Sequence, residues 1–145
     1  MQVNTTNFGM LEVDEKTVIN FKDGLPGFED EHEFVILNNW DTEDPVGFMW
    51  LQSTTNEDVA LVISIPFLLR SDYEFEIPDD ICSQMGISDA ADVGVYTVCN
   101  IQDKVENMTF NLTSPIIVNI KERSAVQLTL TDNRYGVNEL YKPIK

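Results

Sequence analysis

The chain has 145 residues, 43% of them hydrophobic, and its 25 acidic and 9 basic side chains give a formal net charge of −16. This size and composition predict one folded domain over residues 1–145 and exclude collagen-like and low-complexity chains. The charge argues against direct binding of nucleic acid or of an anionic membrane surface, since both need basic patches. We find no apolar run of ~18 residues and no signal-peptide pattern, so we expect a cytoplasmic protein.

The hydrophobic pattern has a period of two over most of the chain, which predicts β-strands. The predicted strands cover residues 9–13, 17–21, 33–38, 46–53, 59–65, 93–101, 108–113, 116–121 and 125–131. Their short spacing, with turn signals between them, favours an all-β fold, a small antiparallel β-barrel-like or sandwich domain. The connections leave no room for the long crossovers of a parallel sheet.

One short helix is predicted near residues 79–86. Pro78 precedes two acidic residues that suit a first helical turn, and Gly86 suits the C-terminal end. A second short turn is predicted over Ser88–Asp92. Residues 134–145 are expected to form a mobile or docking tail.

The acidic residues are concentrated in one part of the chain. Between Asp23 and Asp92 there are 17 acidic residues and one basic residue, Arg70, whereas the remainder carries eight of each sign. This concentration predicts a negative face that steers a basic partner and repels anionic ones. The alternative is that these acids lie on an ordinary solvated surface, and that their concentration along the chain does not produce a charged face in the folded protein.

Few residues support catalysis or metal binding. His32 is the single histidine, and Ile36 stands where a zinc-protease motif needs its second ligand. Cys82 and Cys99 lack Cys-x-x-Cys spacing, and Cys99 is expected to be a buried free thiol. We therefore expect no catalytic residues, no metal site, no cofactor and no enzyme activity. A carboxylate enzyme or a calcium-binding module remains an alternative, because carboxylates are abundant.

The candidate partner-binding residues form two acidic groups and one apolar anchor. In an extended chain the acids of residues 72–76 share one face and the aromatic rings share the other, so the acids can meet a basic partner while the rings cover the core. The apolar anchor breaks the alternation of the preceding strand; its alternative role is to close the core at a barrel end. The candidates are Asp72, Tyr73, Glu74, Phe75 and Glu76, then Glu29, Asp30, Glu31 and Glu33, and for the anchor Phe67 and Leu69.

Several short motifs, in their order and spacing, resemble one known family over nearly the whole chain. They are Phe21–Glu29 (FKDGLPGFE), Trp50–Ser53 (WLQS), Ile65–Leu69 (IPFLL) followed by Asp72-Tyr73, and Ser114–Asn119 (SPIIVN). The family that they resemble is that of the flagellar assembly factor FliW. The segment after Asp132 departs from the family's usual ending.

The resemblance implies a small β-barrel-like protein of flagellated bacteria that binds two proteins in turn. One is the homodimer CsrA, a basic RNA-binding protein that represses translation of flagellin mRNA; the other is flagellin. It implies that free FliW captures CsrA and relieves the repression, and that cytoplasmic flagellin takes FliW back. Flagellin level would then be coupled to flagellin translation and to flagellum assembly. The alternative is a flagellin chaperone that mainly binds an apolar flagellin segment.

Overall fold

The structure is a computed structural model, and it describes residues 1–6, 8–25, 27–38, 49–70, 72–100, 108–131, 135–136 and 139–140, without the side chains of residues 38, 68, 69, 90, 139 and 140. Three predictions fall partly outside these residues: the start of the strand over 46–53, the end of the strand over 93–101, and most of the tail over 134–145. No helix in the described part of the chain is both long and apolar enough to cross a membrane.

Strands make up most of the described chain. They are β1 (Gln2–Thr5), β2 (Gly9–Glu12), β3 (Ile19–Phe21), β4 (Glu33–Asn38), β5 (Met49–Ser53), β6 (Ala60–Ser64), β7 (Val93–Asn100), β8 (Thr109–Phe110), β9 (Ile116–Asn119), β10 (Ser124–Gln127) and β11 (Glu139–Leu140). The helices are α1 (Pro66–Leu69) and α2 (Asp79–Met85), with 3₁₀ turns at Glu15–Thr17 and Ala90–Asp92.

Seven strands form a closed β-barrel in the order β3-β4-β5-β6-β7-β9-β10, and β10 pairs back with β3. The all-β, barrel-like prediction is therefore confirmed. The expectation of purely antiparallel pairing was wrong at one place, because β10 lies parallel to β3, with Ala125 opposite Phe21. These two strands are far apart along the chain and meet where the barrel closes. Their parallel pairing therefore does not depend on a crossover connection between consecutive strands.

The strand β7 is shared between two neighbours on one edge. Its first half, from Val93 to Tyr96, pairs with β9 and closes the barrel, and its last residues pair with β8, which in turn pairs with β11. On the other edge β7 pairs with β6 only from Thr97 onward. The first half of β7 therefore lacks a strand neighbour on that side among the described residues.

Some strand predictions were too long, for local reasons. The stretch over 108–113 pairs only at Thr109–Phe110, because the side-chain oxygen of Asn111 accepts the N–H groups of Thr113 and Ser114 and turns the chain. The stretch over 17–21 begins at the last residue of the 3₁₀ turn Glu15–Thr17, for which the side chain of Asp14 provides an N-cap, and its strand starts only at Ile19. The prediction also missed β1, which pairs with β2 as a separate hairpin.

The predicted helix is confirmed as α2. Gly86 follows it with φ of 68° and ψ of 30°, the left-handed conformation that glycine adopts most readily. The N–H of Ile87 then donates to the Cys82 carbonyl at 2.9 Å, as in a Schellman cap. The turn predicted over Ser88–Asp92 is the 3₁₀ turn Ala90–Asp92.

Two apolar clusters form the core. The larger one lies among the barrel strands and includes Phe21 and Phe34, whose rings meet edge-on at 5.3 Å. The second lies where β7, β8 and the segment after α1 meet, and it consists of Tyr73, Cys99, Met108, Phe110, Leu112 and Tyr135. The second cluster positions the candidate site, because Tyr73 belongs to both.

Candidate protein-binding site

The segment over residues 72–77 alternates between exposed and buried side chains. The exposed side chains are those of Asp72, Glu74 and Glu76, while Tyr73 is buried and Phe75 is half-buried. The carboxylates thus face solvent and the rings face inward, as the alternation predicts. The segment is not a strand, however: it connects α1 to α2 without a ladder partner among the described residues.

Two tyrosine hydroxyls hold this segment in place. The hydroxyl of Tyr73 donates to the Leu112 carbonyl at 2.7 Å. The hydroxyl of Tyr135 accepts the Glu74 N–H at 3.1 Å and lies 3.2 Å from the Glu74 carbonyl, to which it donates. These bonds take the place of a strand neighbour and fix the direction in which the acidic side chains project.

Aromatic contacts link the segment to α1. The ring centroid of Tyr73 lies 5.9 Å from that of Phe67, 5.4 Å from that of Phe75 and 4.6 Å from that of Tyr135. The ring of Phe67 is nevertheless 44% exposed, a large value for phenylalanine in a packed cluster. Phe67 therefore remains available as an apolar anchor, while the side chain of Leu69 lies outside the described part.

Arg70 draws one of the predicted acids into a local contact. Its Nε lies 2.9 Å from Oδ1 of Asp72, and its guanidinium carbon lies 5.1 Å from the ring centroid of Tyr135. Asp72 therefore already forms an ion pair, so the three acidic residues of the segment over 72–76 are not equivalent. An exposed pair of this kind stabilises the fold by at most ~1 kcal/mol.

An apolar groove of about 690 Å³ lies between this segment, α2 and the start of β7. Apolar side chains line its floor and walls, and carboxylates stand among them. The apolar lining comes from Phe67, Tyr73, Phe75, Ile77, Cys82, Ile87, Val93 and Val95, and the acidic lining comes from Glu74, Glu76, Asp79 and Asp89. We call this the acidic-rimmed groove.

The rim of the acidic-rimmed groove carries unneutralised charge. Within the described residues, no ion pair involves Glu76, Asp79 or Asp89. Asp79 and its neighbour Asp80 occupy the first turn of α2, where the helix dipole favours negative charge. The rim therefore suits a ligand that brings basic groups to the edge of an apolar contact.

The second predicted acidic group lies elsewhere. The segment from Glu29 to Glu33 adjoins the turn that joins β5 to β6, since the N–H of Thr54 donates to the Glu33 carbonyl at 2.9 Å. The acidic-rimmed groove adjoins the other end of the same hairpin, where β6 runs into α1. The length of β5 separates the two groups, roughly 14 Å at 3.4 Å per residue. The two acidic groups therefore lie at opposite ends of one hairpin, and the negative face that steers a basic partner stays a prediction.

Glu31 has a structural role in that second group. Its Oε2 accepts hydrogen bonds from the hydroxyls of Ser53 at 2.7 Å and Thr55 at 2.9 Å, and its Oε1 accepts one from Nδ2 of Asn56 at 3.3 Å. These bonds, that of Ser53 foremost, lower the pKa of the Glu31 carboxyl. Glu29, Asp30 and Glu33 are exposed around it.

The histidine and the cysteines take ordinary places. His32 is exposed, and its Nδ1 lies 2.9 Å from the Phe21 carbonyl. Cys99 is a buried thiol that forms no disulfide among the described residues, as predicted, and Cys82 is a half-buried thiol in the groove wall. Within the described part of the chain, no group of three or more His, Cys, Asp or Glu residues has the geometry to hold a metal ion.

Sequence reasoning missed one wall of the groove. Val93 and Val95 have the same parity along β7 as the buried Cys99, yet both are half-buried and line the groove. The cause is the early end of β6 at Ser64, beyond which the chain turns into α1. Pro66 was the available signal, since a proline at this point cannot continue the ladder.

The chain is similar to known proteins over most of its length. Residues 2–141 match the family model described as FliW protein. Among curated relatives, the flagellar assembly factor FliW of Caldicellulosiruptor bescii is 41% identical over 92% of this chain and 85% of its own length. That of Caldanaerobacter subterraneus subsp. tengcongensis is 38% identical over 93% and 89%. A crystal structure of the flagellar assembly factor FliW superposes with a TM-score of 0.88 at 31% identity, covering 100% of this chain and 99% of that one.

A closed barrel with the acidic-rimmed groove beside it defines an all-β class of protein, and the comparisons identify the family within that class. The chain belongs to the FliW family of flagellar assembly factors.

Proposed function

We propose that this chain is a cytoplasmic, non-enzymatic regulator that binds CsrA through the acidic-rimmed groove and is itself sequestered by flagellin. The observation that supports the proposal is the groove's combination of an exposed apolar residue, Phe67, with three rim carboxylates that form no ion pair among the described residues, those of Glu76, Asp79 and Asp89. Capture of CsrA would relieve repression of flagellin mRNA, and accumulating flagellin would reverse it.

The two features of the groove have different physical roles in binding. Desolvation of an apolar anchor supplies most of the affinity of a typical protein interface. Charge on the rim accelerates association with a basic partner and excludes acidic ones. An RNA-binding protein must present basic surface to phosphate, so it suits a partner of net charge −16. The same charge keeps RNA away from this chain, so nucleic acid is not proposed as a direct ligand.

A displacement titration tests this proposal. Labelled flagellin leader RNA bound to CsrA is titrated with this chain at low and at high salt, and flagellin is then added. We expect stoichiometric release of RNA at low salt, weaker release at high salt because exposed charges are screened beyond ~8 Å, and recapture of RNA when flagellin is added. RNA that stays bound at saturating concentrations of the chain contradicts the proposal.

A second candidate function is that of a flagellin chaperone whose main contact is apolar. The 44% exposure of Phe67 on a single-turn helix favours it. Phe67→Ser should then weaken flagellin binding more than Glu76→Lys does, and the complex should be insensitive to salt. Phe8→Ser is a matched control, because Phe8 is also exposed (39%) but lies in the turn between β1 and β2.

A further inference from the structure

Within the part of the chain that the structure describes, the segment between α1 and α2 has main-chain groups without partners. The N–H and the carbonyl of Glu74 both meet the hydroxyl of Tyr135. In an extended chain the N–H and C=O of one residue point to the same side, and those of the next residue point to the opposite side. The main-chain groups of Phe75 therefore point away from Tyr135, and neither forms a hydrogen bond among the described residues.

A second edge without a partner among the described residues lies on the opposite wall of the groove. The N–H of Ile120 donates to the Asp92 carbonyl at 2.9 Å, which sets the alternation along β7. By this alternation Gly94 and Tyr96 direct their main-chain groups to β9, while Val95 directs its groups to the other edge.

Among the described residues, that edge of β7 has no hydrogen-bond partner at Val95, because a proline stands where the partner residue would be. The strand β6 pairs Ser64 with Thr97 and then ends. Continued register would place Pro66 opposite Val95, but proline has no N–H to donate. The Pro66 carbonyl is used as well, since it accepts the N–H of Arg70 at 2.9 Å inside α1. The main-chain groups of Val95 therefore form no hydrogen bond among the described residues.

We infer that the acidic-rimmed groove binds an extended segment of a basic partner protein as an added β-strand, which pairs with the main chain of Phe75. Alternate apolar side chains of that segment contact Phe67 and Val95, and its flanking Lys or Arg residues meet the rim carboxylates. The added strand presupposes that the groove binds a partner, as proposed above.

The features of the groove select this occupant over others. A donor and an acceptor on one residue are both satisfied by another extended backbone, whereas a helix has already used its own main-chain groups internally. A second copy of this chain would bring Glu74 and Glu76 against the same carboxylates, and like charges on an edge oppose such pairing. A basic segment has neither obstacle.

Amide hydrogen exchange of the unmodified chain, free and bound to CsrA, tests the inference. We expect the Phe75 amide to exchange rapidly in the free chain and at least about tenfold more slowly in the complex. The amides of Gly94 and Tyr96, which already bond to β9, should change little. A complex that forms with no slowing at Phe75 overturns the added strand but leaves the proposed function standing. If no complex forms, both fail.

A pair of variants gives a second measurement. Phe75→Ala removes the ring, and Phe75→Pro removes the ring and the N–H, so their difference isolates the main-chain donor. We expect Phe75→Pro to bind CsrA about fivefold more weakly than Phe75→Ala, the usual contribution of one hydrogen bond. Equal affinities of two folded variants overturn the inference. If the proline variant does not fold, amide hydrogen exchange at Phe75 of the unmodified chain still tests the inference.

Discussion

The hydroxyl of Tyr73 donates a 2.7 Å hydrogen bond to the carbonyl of Leu112 and thereby joins the acidic-rimmed groove to the second core cluster. Tyr73 is 3% exposed, so this bond is made away from solvent. The groove wall is thus also a part of the core. Its shape depends on the stability of the fold, and its chemistry depends on the acids beside it.

Replacement of that hydroxyl should destabilise the protein without removing apolar packing. We expect Tyr73→Phe to lower the free energy of unfolding by about 1–3 kcal/mol, because the Leu112 carbonyl loses its donor while it remains buried. Urea denaturation at neutral pH measures the change. Tyr96→Phe is the control, since Tyr96 is half-buried and shows no comparable hydroxyl bond among the described residues. An equal effect of the two substitutions contradicts this role of Tyr73.

The same hydroxyl should make the fold sensitive to alkali. Burial, and secondarily the neighbouring Tyr135, raises the pKa of Tyr73 above its ordinary value of 10.0. The unfolded chain therefore loses this proton at lower pH than the folded chain does, so stability is complete below pH 10 and falls as the pH rises above it. We expect Tyr73→Phe to reduce this fall between neutral and alkaline pH. An unchanged pH profile would exclude Tyr73 as its source.

Charge reversal on the rim should weaken binding of a basic partner. We expect Glu76→Lys to reduce affinity for CsrA about fivefold and to reduce its salt dependence, because an exposed attraction is replaced by repulsion. Isothermal titration calorimetry at two salt concentrations measures both effects. The matched control is Asp30→Lys, which makes the same charge change at the other end of the β5–β6 hairpin. If the control weakens binding equally, net charge and not the rim is responsible.

Loss of the Glu31 charge should destabilise the fold at neutral pH and make its stability depend less on pH in acid. The Glu31 carboxylate accepts three side-chain hydrogen bonds, which lower its pKa below the usual value of 4.5. A lowered folded-state pKa contributes stability that is present above pH 4.5 and is lost as the pH falls through the folded value. Glu31→Gln should therefore be less stable at neutral pH and show a flatter decline in acid. Thermal melts across this range, with Asp30→Asn as control, measure it.

A glycine in the turn after β3 should tolerate no side chain. Gly24 has φ of +68°, and an added Cβ would lie 2.7 Å from the main chain of Glu29. Backbone cannot yield as a flexible side chain can, so Gly24→Ala should cost about 3 kcal/mol or more. Gly9→Ala has a similar φ of +70° but open space around its Cβ, and should cost only about 1 kcal/mol. Similar losses for the two variants would show that φ alone matters.

Local patterns predicted much of this molecule. The alternation of apolar residues located most strands because it depends only on the period of a half-buried strand. The helix α2 was found by its proline, its acids and Gly86, all of which act within one turn. The alternation also placed Tyr73 inward and Glu74 outward, although no strand holds them.

Predictions from the sequence failed where contacts between residues distant along the chain determine the structure. The parallel pairing of Ala125 with Phe21 joins residues about a hundred positions apart, and no local signal encodes barrel closure. The separation of the two acidic groups could not be predicted for the same reason, since closeness along the chain does not predict closeness across a hairpin.

By itself the sequence determined the all-β class, the family motifs, the excess of negative charge and the short helix, because these follow from composition and from interactions within a few residues. Only the tertiary structure decided that β6 ends opposite Thr97 and leaves the start of β7 uncovered on that edge, that Val95 has no main-chain partner there among the described residues, and that Phe67 lies exposed in the groove. A groove is the space between elements, and its existence depends on where separate strands end relative to one another.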